Sequence, residues 1–191
     1  MNIKYNFSAI SGSLKNKSYN ATVLKAAQIL FPKYISIDLL SITYIPLYNF
    51  DLRVNFYHES VEKLCKSIKW ADALIIITPE YNYSILGALK KPIDFLFKHL
   101  EKPLDKKTVG IMSTSLSLQD GLSARYHLRQ ILVAVNTMTI NVSEVVIRQV
   151  NTKFDEAGNL IDEINQKFLK TFIKASAVNS SILKKRLALY Y

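Results

Sequence analysis

Two short stretches concentrate the residue types that bind and orient small molecules. The first reads Ser11-Gly12-Ser13-Leu14-Lys15, followed by Ser18 and Asn20. It falls where a strand-like stretch hands over to a segment of helical spacing, so N–H groups of a turn and of a helix start converge there, with the helix dipole favouring an anion. Ser13, Ser18 and Asn20 add neutral donors and Lys15 a full positive charge, a set matched to a terminal phosphate dianion. An ordinary Ser- and Asn-capped helix start accounts for the same residues without a ligand. With one glycine, the loop is neither a dinucleotide G-x-G-x-x-G nor a P-loop. The second stretch is Pro79-Glu80-Tyr81-Asn82-Tyr83-Ser84. Two tyrosines, an asparagine and a glutamate around a rigid proline offer flat stacking faces and directed hydrogen bonds, which suit a planar heterocycle.

The elements that must position these groups are legible from hydrophobic period. Leu74 to Ile77 is a continuous apolar run rich in β-branched residues, as expected of a strand covered on both faces. The carboxyl end of such a strand is where a doubly wound sheet places its ligands, so the Pro79–Tyr83 stretch falls at the right place. Upstream, Lys4 to Ser11 predicts a strand and Val23, Ala27, Leu30 and Phe31 a helical stripe. Tyr34 to Leu40 predicts a second strand, and Val61, Leu64, Cys65 and Ile68 a helix over Glu59–Trp70. Downstream, Pro92 is expected at or near the first turn of a helix running to Leu100, because deeper placement costs a hydrogen bond. Val109 to Ser113 predicts the fourth strand, followed by a loop through Ser115, Ser117 and Gly121. Leu128, Ile131, Leu132 and Val135 mark a helix, Thr137 to Val142 a fifth strand, and Phe154 to Asn159 an exposed turn. Ile161, Ile164, Phe168 and Phe172 set the face of the last large helix. Strands alternating with helices imply a three-layer α/β/α sandwich around a five-stranded parallel sheet.

The chain of 191 residues is 49% apolar, enough for one core, and residues 1–191 are read as a single domain. The last residues, 176–191, are basic and apolar together and are read as a flexible or partner-docking tail. Cys65 is the single cysteine, which excludes an intrachain disulfide and a thiolate metal cluster. His58, His99 and His127 are too scattered for a metal triad and are read as surface or helix-packing residues. No apolar run reaches the roughly 18 to 20 residues of a membrane helix, and the first residues lack a signal-peptide layout. The expectation is a cytoplasmic protein with neither a membrane nor a nucleic-acid partner. The formal charge of +10 is carried by scattered lysines without a recognition motif and is read as a positive surface that favours anionic ligands.

Taken together, Gly12-Ser13-Leu14-Lys15 with Ser18-x-Asn20, Thr78-Pro79-Glu80-Tyr81-Asn82-Tyr83-Ser84 and Gly87-x-Leu89-Lys90 resemble the NADPH-dependent FMN reductase family of flavodoxin-like proteins. That family includes quinone, chromate and azo-dye reductases. The likeness extends through Pro46-Leu47-Tyr48 and Tyr126 to Leu132, and covers the chain to about Phe172. It implies a non-covalent FMN whose phosphate lies against Ser11, Ser13, Lys15, Ser18 and Asn20. The isoalloxazine ring would lie along Pro79, Glu80, Tyr81, Asn82 and Tyr83, with the loop at Ser115 closing the far side. Members take a hydride from NAD(P)H and pass electrons to an acceptor bound afterwards at the same face, a ping-pong cycle. Quinones, azo compounds, free flavin and metal oxyanions are the acceptors so implied. The cofactor carries the reaction, so the resemblance names no acid, base or nucleophile. It also implies a dimer or tetramer, because the helix that Arg125 and Tyr126 open packs on a neighbouring subunit in this family. Rival readings on the same fold are a flavodoxin-type electron carrier, although such carriers are typically acidic, and a flavin-free binding protein.

Three features depart from the family pattern. Lys15 stands for an arginine, keeping the charge but losing a bidentate fork. Leu86 and Ala88 stand for a proline and a glycine, and the third loop, Ser117-Leu118-Gln119-Asp120-Gly121, keeps one glycine.

Overall fold

A strand that is apolar at every position must be covered on both faces, and the computed structural model, which describes residues 4–15, 17–49, 58–116, 121–141 and 145–189, meets that demand with three layers. The strands are β1 (Tyr5–Ser11), β2 (Ile35–Leu40), β3 (Ala73–Thr78), β4 (Thr108–Thr114), β5 (Met138–Thr139) and β6 (Val145–Ile147). The helices are α1 (Tyr19–Leu30), α2 (Glu59–Trp70), α3 (Gly87–Lys98), α4 (Leu122–Ala134) and α5 (Glu163–Leu187). All pairings are parallel in the order β2-β1-β3-β4-β5, with β6 also on β4. This is the flavodoxin-like sandwich expected.

Every residue of β3 is buried. Leu74 and Ile76 face a core shared with α2, α3 and α4, whereas Ala73, Ile75 and Ile77 face a second core shared with α1 and α5. Each fully buried isoleucine stabilises the fold by about 1.5–3 kcal/mol. Helix α2 buries the predicted Val61, Leu64, Cys65 and Ile68, and His58 caps its start by accepting the Ser60 N–H at 3.3 Å. His99, buried at the end of α3, joins the two helices: Nδ1 accepts the Glu101 N–H (3.1 Å) and faces Cys65 Sγ (3.3 Å), while Nε2 faces Glu62 Oε1 (3.2 Å). Burial, with the Glu62 carboxylate adding to it, pushes the Cys65 thiol up to about 11.

Four expectations are corrected. Helix α3 begins at Gly87, so Pro92 is its sixth residue, beyond the first turn, and leaves the Ala88 carbonyl without its helical donor. Burying Leu89 completely, against Gly12, favours extending the helix back despite that loss. The predicted fifth strand, Thr137 to Val142, is strand only at β5, which pairs with Thr108 and Val109, with Val142 outside the described residues; β6, which was not expected, pairs with Met112 to Thr114. The tail is helical through Leu187, with Ser176, Ala177 and Ser180 buried. Finally, of the predicted face only Phe172 is buried; Ile161, Ile164 and Phe168 are exposed, and α5 buries Leu169, Ile173 and Ala177 beside Phe172. The helix carries two apolar stripes, and the small residues on the second let it approach the sheet closely.

That approach sets a constraint at Gly110, where a Cβ would lie 2.5 Å from Phe172 Cζ. Gly110→Ala should therefore cost about 1–3 kcal/mol in denaturant unfolding, and unchanged stability would show that the ring moves aside freely. A second prediction concerns Lys107, whose Nζ donates to the Lys69 and Ala71 carbonyls (3.1 and 2.6 Å) at the end of α2. Burial pushes this amine down to about 8 from 10.5, with Asp72 opposing and Lys184 adding to the fall. Between these values the unfolded chain holds a proton that the folded chain has released, so this group raises stability as pH rises. Relative to Lys107→Met, the wild type should gain about 1–2 kcal/mol between pH ~8 and ~10, and equal slopes for the two proteins would refute the shift.

Candidate active site

The carboxyl ends of β1, β3 and β4 open onto a cleft of ≈ 980 Å³. Ten of the eleven predicted residues line it: Ser13, Lys15, Ser18 and Asn20 from the first loop, Pro79 to Tyr83 from the second, and Ser115 from the third. Ser11 does not; its Oγ accepts the Ser13 N–H (3.4 Å) and donates to the Ser13 carbonyl (3.3 Å), so it shapes the loop from behind. Sequence reasoning missed Tyr19, Thr114, Leu122 and Val150 on the cleft wall. Their types carry no signal of their own, and chain distance hides their neighbourhood. Ser117 to Asp120 lie outside the described residues.

The first loop leaves β1 through Gly12, whose N–H donates to the Ile77 carbonyl (2.8 Å). A Cβ there would meet that carbonyl oxygen at 3.2 Å and Leu89 at 3.1 Å, so the close approach of loop and strand requires glycine. Helix α1 then starts at Tyr19, behind the N-cap residue Ser18, whose side chain makes no capping bond, and its first turn holds no acidic residue. Among the described residues the helix N-terminus therefore meets the cleft with neither an acidic side chain in its first turn nor a side-chain cap. Asn20 is buried and its Oδ1 accepts from Thr114 Oγ1 (2.5 Å), which ties the first loop to the end of β4 and leaves the amide nitrogen as the donor of this side chain.

The second loop is a tight turn closed from both sides. Ser84 N–H donates to the Tyr81 carbonyl (2.9 Å) and Tyr81 N–H to the Ser84 carbonyl (3.0 Å). The central residues, Asn82 (φ 50°) and Tyr83 (φ 62°), are both left-handed, as a type I′ turn demands. Asparagine tolerates that conformation; a bulky tyrosine does so at a cost. Two contacts to α4 hold the turn. Glu80 Oε2 accepts the Ala124 N–H (3.1 Å) at a helix start where Gly121 provides no side-chain cap, and Ser84 Oγ lies 2.7 Å from His127 Nδ1. Glu80 is thus a helix cap as well as part of the wall. The third loop is tied to the sheet edge, with Ser115 N–H donating to the Ile147 carbonyl and the Ser115 carbonyl accepting the Val150 N–H, each at 3.0 Å. Among the described residues no cluster of His, Cys, Asp and Glu is arranged to hold a metal.

The strain at Tyr83 is measurable. Tyr83→Gly should match or exceed the wild type in stability, whereas Tyr83→Val, which also lacks the ring, should fall below Tyr83→Gly by about 1 kcal/mol or more. Equal unfolding free energies for the two variants would place no strain at this position.

Comparison with known proteins agrees with this geometry. The profile of the family described as NADPH-dependent FMN reductase matches residues 6–152. The chain is 39% identical over 166 residues to an NAD(P)H-dependent FMN reductase of Pseudomonas aeruginosa, covering 87% of this chain and 90% of that protein. It is 36% identical to a quinone reductase of Escherichia coli, covering 85% of this chain and 88% of the relative. Among solved structures, FerB of Paracoccus denitrificans, a flavoenzyme NAD(P)H:(acceptor) oxidoreductase, superposes with a TM-score of 0.84 at 29% identity, covering 95% of this chain and 98% of FerB. With cleft, loops and relatives in agreement, the chain belongs to the NADPH-dependent FMN reductase family.

Proposed function

We propose that this chain is an FMN-dependent NAD(P)H oxidoreductase that delivers electrons to a quinone, and that the first and second loops hold the cofactor between them. The observation that carries the assignment is the uncapped start of α1, which opens into the same cleft as the aromatic turn at Pro79–Tyr83. A phosphate suits the first, a planar ring the second, and the cleft volume falls within the ordinary range for a cofactor site, about 300–1,000 Å³. In this reading Ser13, Lys15, Ser18 and Asn20 donate to the phosphate. Tyr81 and Asn82 flank the ring, with Ser115 on the far side, and Tyr83 borders the mouth. FMN bound there would supply the redox chemistry, hydride acceptance and electron return, that no side chain of the cleft provides.

The chain's own contribution is orientation and electrostatics. Lys15 neutralises phosphate charge, the turn braced by Glu80 and Ser84 keeps its faces fixed, and the cleft mouth admits the two substrates in turn, a ping-pong order. The quinone class follows the relatives of Escherichia coli and other organisms that bear that name. Azo compounds, free flavin and metal oxyanions remain further acceptors of this permissive mouth. We read the enzyme as cytoplasmic, where the buried Cys65 thiol stays reduced, and as a dimer or tetramer formed through the exposed Tyr126 side of α4.

The test is an absorption spectrum of the purified protein before and after NADPH is added without oxygen. Flavin bands that bleach are expected; colourless protein that stays so with added FMN would sink the reading. Lys15→Ala should weaken FMN binding by about 1.5–3 kcal/mol, or roughly 10- to 100-fold, and an unchanged dissociation constant would move the phosphate away from Lys15.

A further inference from the structure

Helix α5 carries a second apolar stripe that the fold leaves outside. Ile164 is 67% exposed, Phe168 45%, Val178 56% and Ile182 49%, and with Ala175 they recur at spacings of four, seven, three and four residues along one line of the helix. A parallel line of Lys167, Lys170, Lys174 and Lys185 runs beside it, and among the described residues none of these four forms an ion pair. The helix has six basic residues, the four above with Lys184 and Arg186, against one acidic residue, Glu163. At 25 residues it is about seven turns long. Its inner face is fully used, because Leu169, Phe172, Ile173 and Ala177 pack on the sheet and Ser180 Oγ donates to the Asp72 carbonyl (2.8 Å). The helix is therefore held in place chiefly by its inner face, with Ser181 Oγ meeting Tyr5 OH (2.6 Å) beside the outer stripe.

From this juxtaposition we infer that the outer face of α5 docks on an anionic lipid surface. An apolar ridge flanked by a lysine row, on a helix lying along the protein surface, has the chemistry of an interfacial helix: aliphatic and aromatic side chains enter the acyl boundary while ammonium groups pair with anionic headgroups. The net charge of +10 draws the whole molecule to such a surface. A second copy fits less well, since one acidic residue per helix cannot answer six basic ones across an interface. The inference revises the expectation of no membrane partner; no described helix is long and apolar enough to cross a bilayer, and docking requires none. Its purpose rests on the quinone reading, because docking brings the enzyme to acceptors that partition into lipid, but its observations do not.

The test floats the purified full chain with phosphatidylcholine vesicles, with and without phosphatidylglycerol. Binding is expected only with the anionic lipid and should fall about tenfold or more between ~0.05 and ~0.5 M salt. Lys167→Glu/Lys174→Glu/Lys185→Glu, and separately Val178→Ser/Ile182→Ser, should each weaken it about tenfold while leaving reduction of a water-soluble quinone unchanged. The readout is binding, so its failure leaves the flavin assignment standing, and a colourless, inactive protein that still floats with anionic vesicles leaves docking standing. No flotation, or equal flotation of the variants, overturns the inference. So does tighter binding to polyglutamate than to anionic vesicles, which would assign the face to an acidic protein. Self-association in sedimentation velocity that Val178→Ser/Ile182→Ser abolishes would likewise assign it to a second copy.

Discussion

The double-sided burial of β3 is the constraint on which the remaining architecture depends. Its six residues alternate between two cores, so helices must cover both faces and the neighbouring strands must run parallel to it through crossover connections. Once β3 lies between β1 and β4, the three loops that leave these strands emerge at one end, side by side. The cleft is a consequence of that arrangement. Ser13, Tyr81 and Ser115, separated by long stretches of chain, become its walls because their strands are neighbours.

The shape of the cleft depends on backbone held where it would not rest by itself. The left-handed pair Asn82–Tyr83 is kept by two cross-turn bonds and by anchors on α4 at Ala124 and His127. Strain of this kind persists only where surroundings over-determine it. The same economy appears at Glu80, where one carboxylate caps α4 and shapes the cleft wall, and at Asn20, where one amide bonds Thr114 and borders the phosphate-type loop. A substitution at any of these positions perturbs the loop and its support together.

On the opposite side of the sheet from α4, α5 shows how packing selects between equivalent patterns. Two apolar stripes of helical period compete along one segment, and the winner contains the small residues Ser176, Ala177 and Ser180 together with Phe172, whose ring fits over Gly110. Close approach to the sheet recovers more dispersion contact than the larger but more widely spaced Ile164 and Phe168 stripe can offer. The losing stripe becomes surface.

The order of strands and helices, the central position of β3, and the two polar loops at the sheet's carboxyl end were legible in the chain before any contact was known. These are local properties: apolar run length, helical period, and the placement of Ser, Asn, Gly and Pro at element ends. They were also enough to expect the sheet end at which the loops meet, since parallel strands with helical crossovers leave one geometry. Tertiary structure alone decided the start of α3 at Gly87 with Pro92 inside it, because the burial of Leu89 against Gly12 is a contact between residues 77 apart in the chain. It decided which face of α5 is core, added β6 beside β4, and turned Glu80 toward the start of α4. Each of these outcomes is a choice between local alternatives of similar energy, settled by which partner lies across the fold, and period and propensity contain no information about that partner.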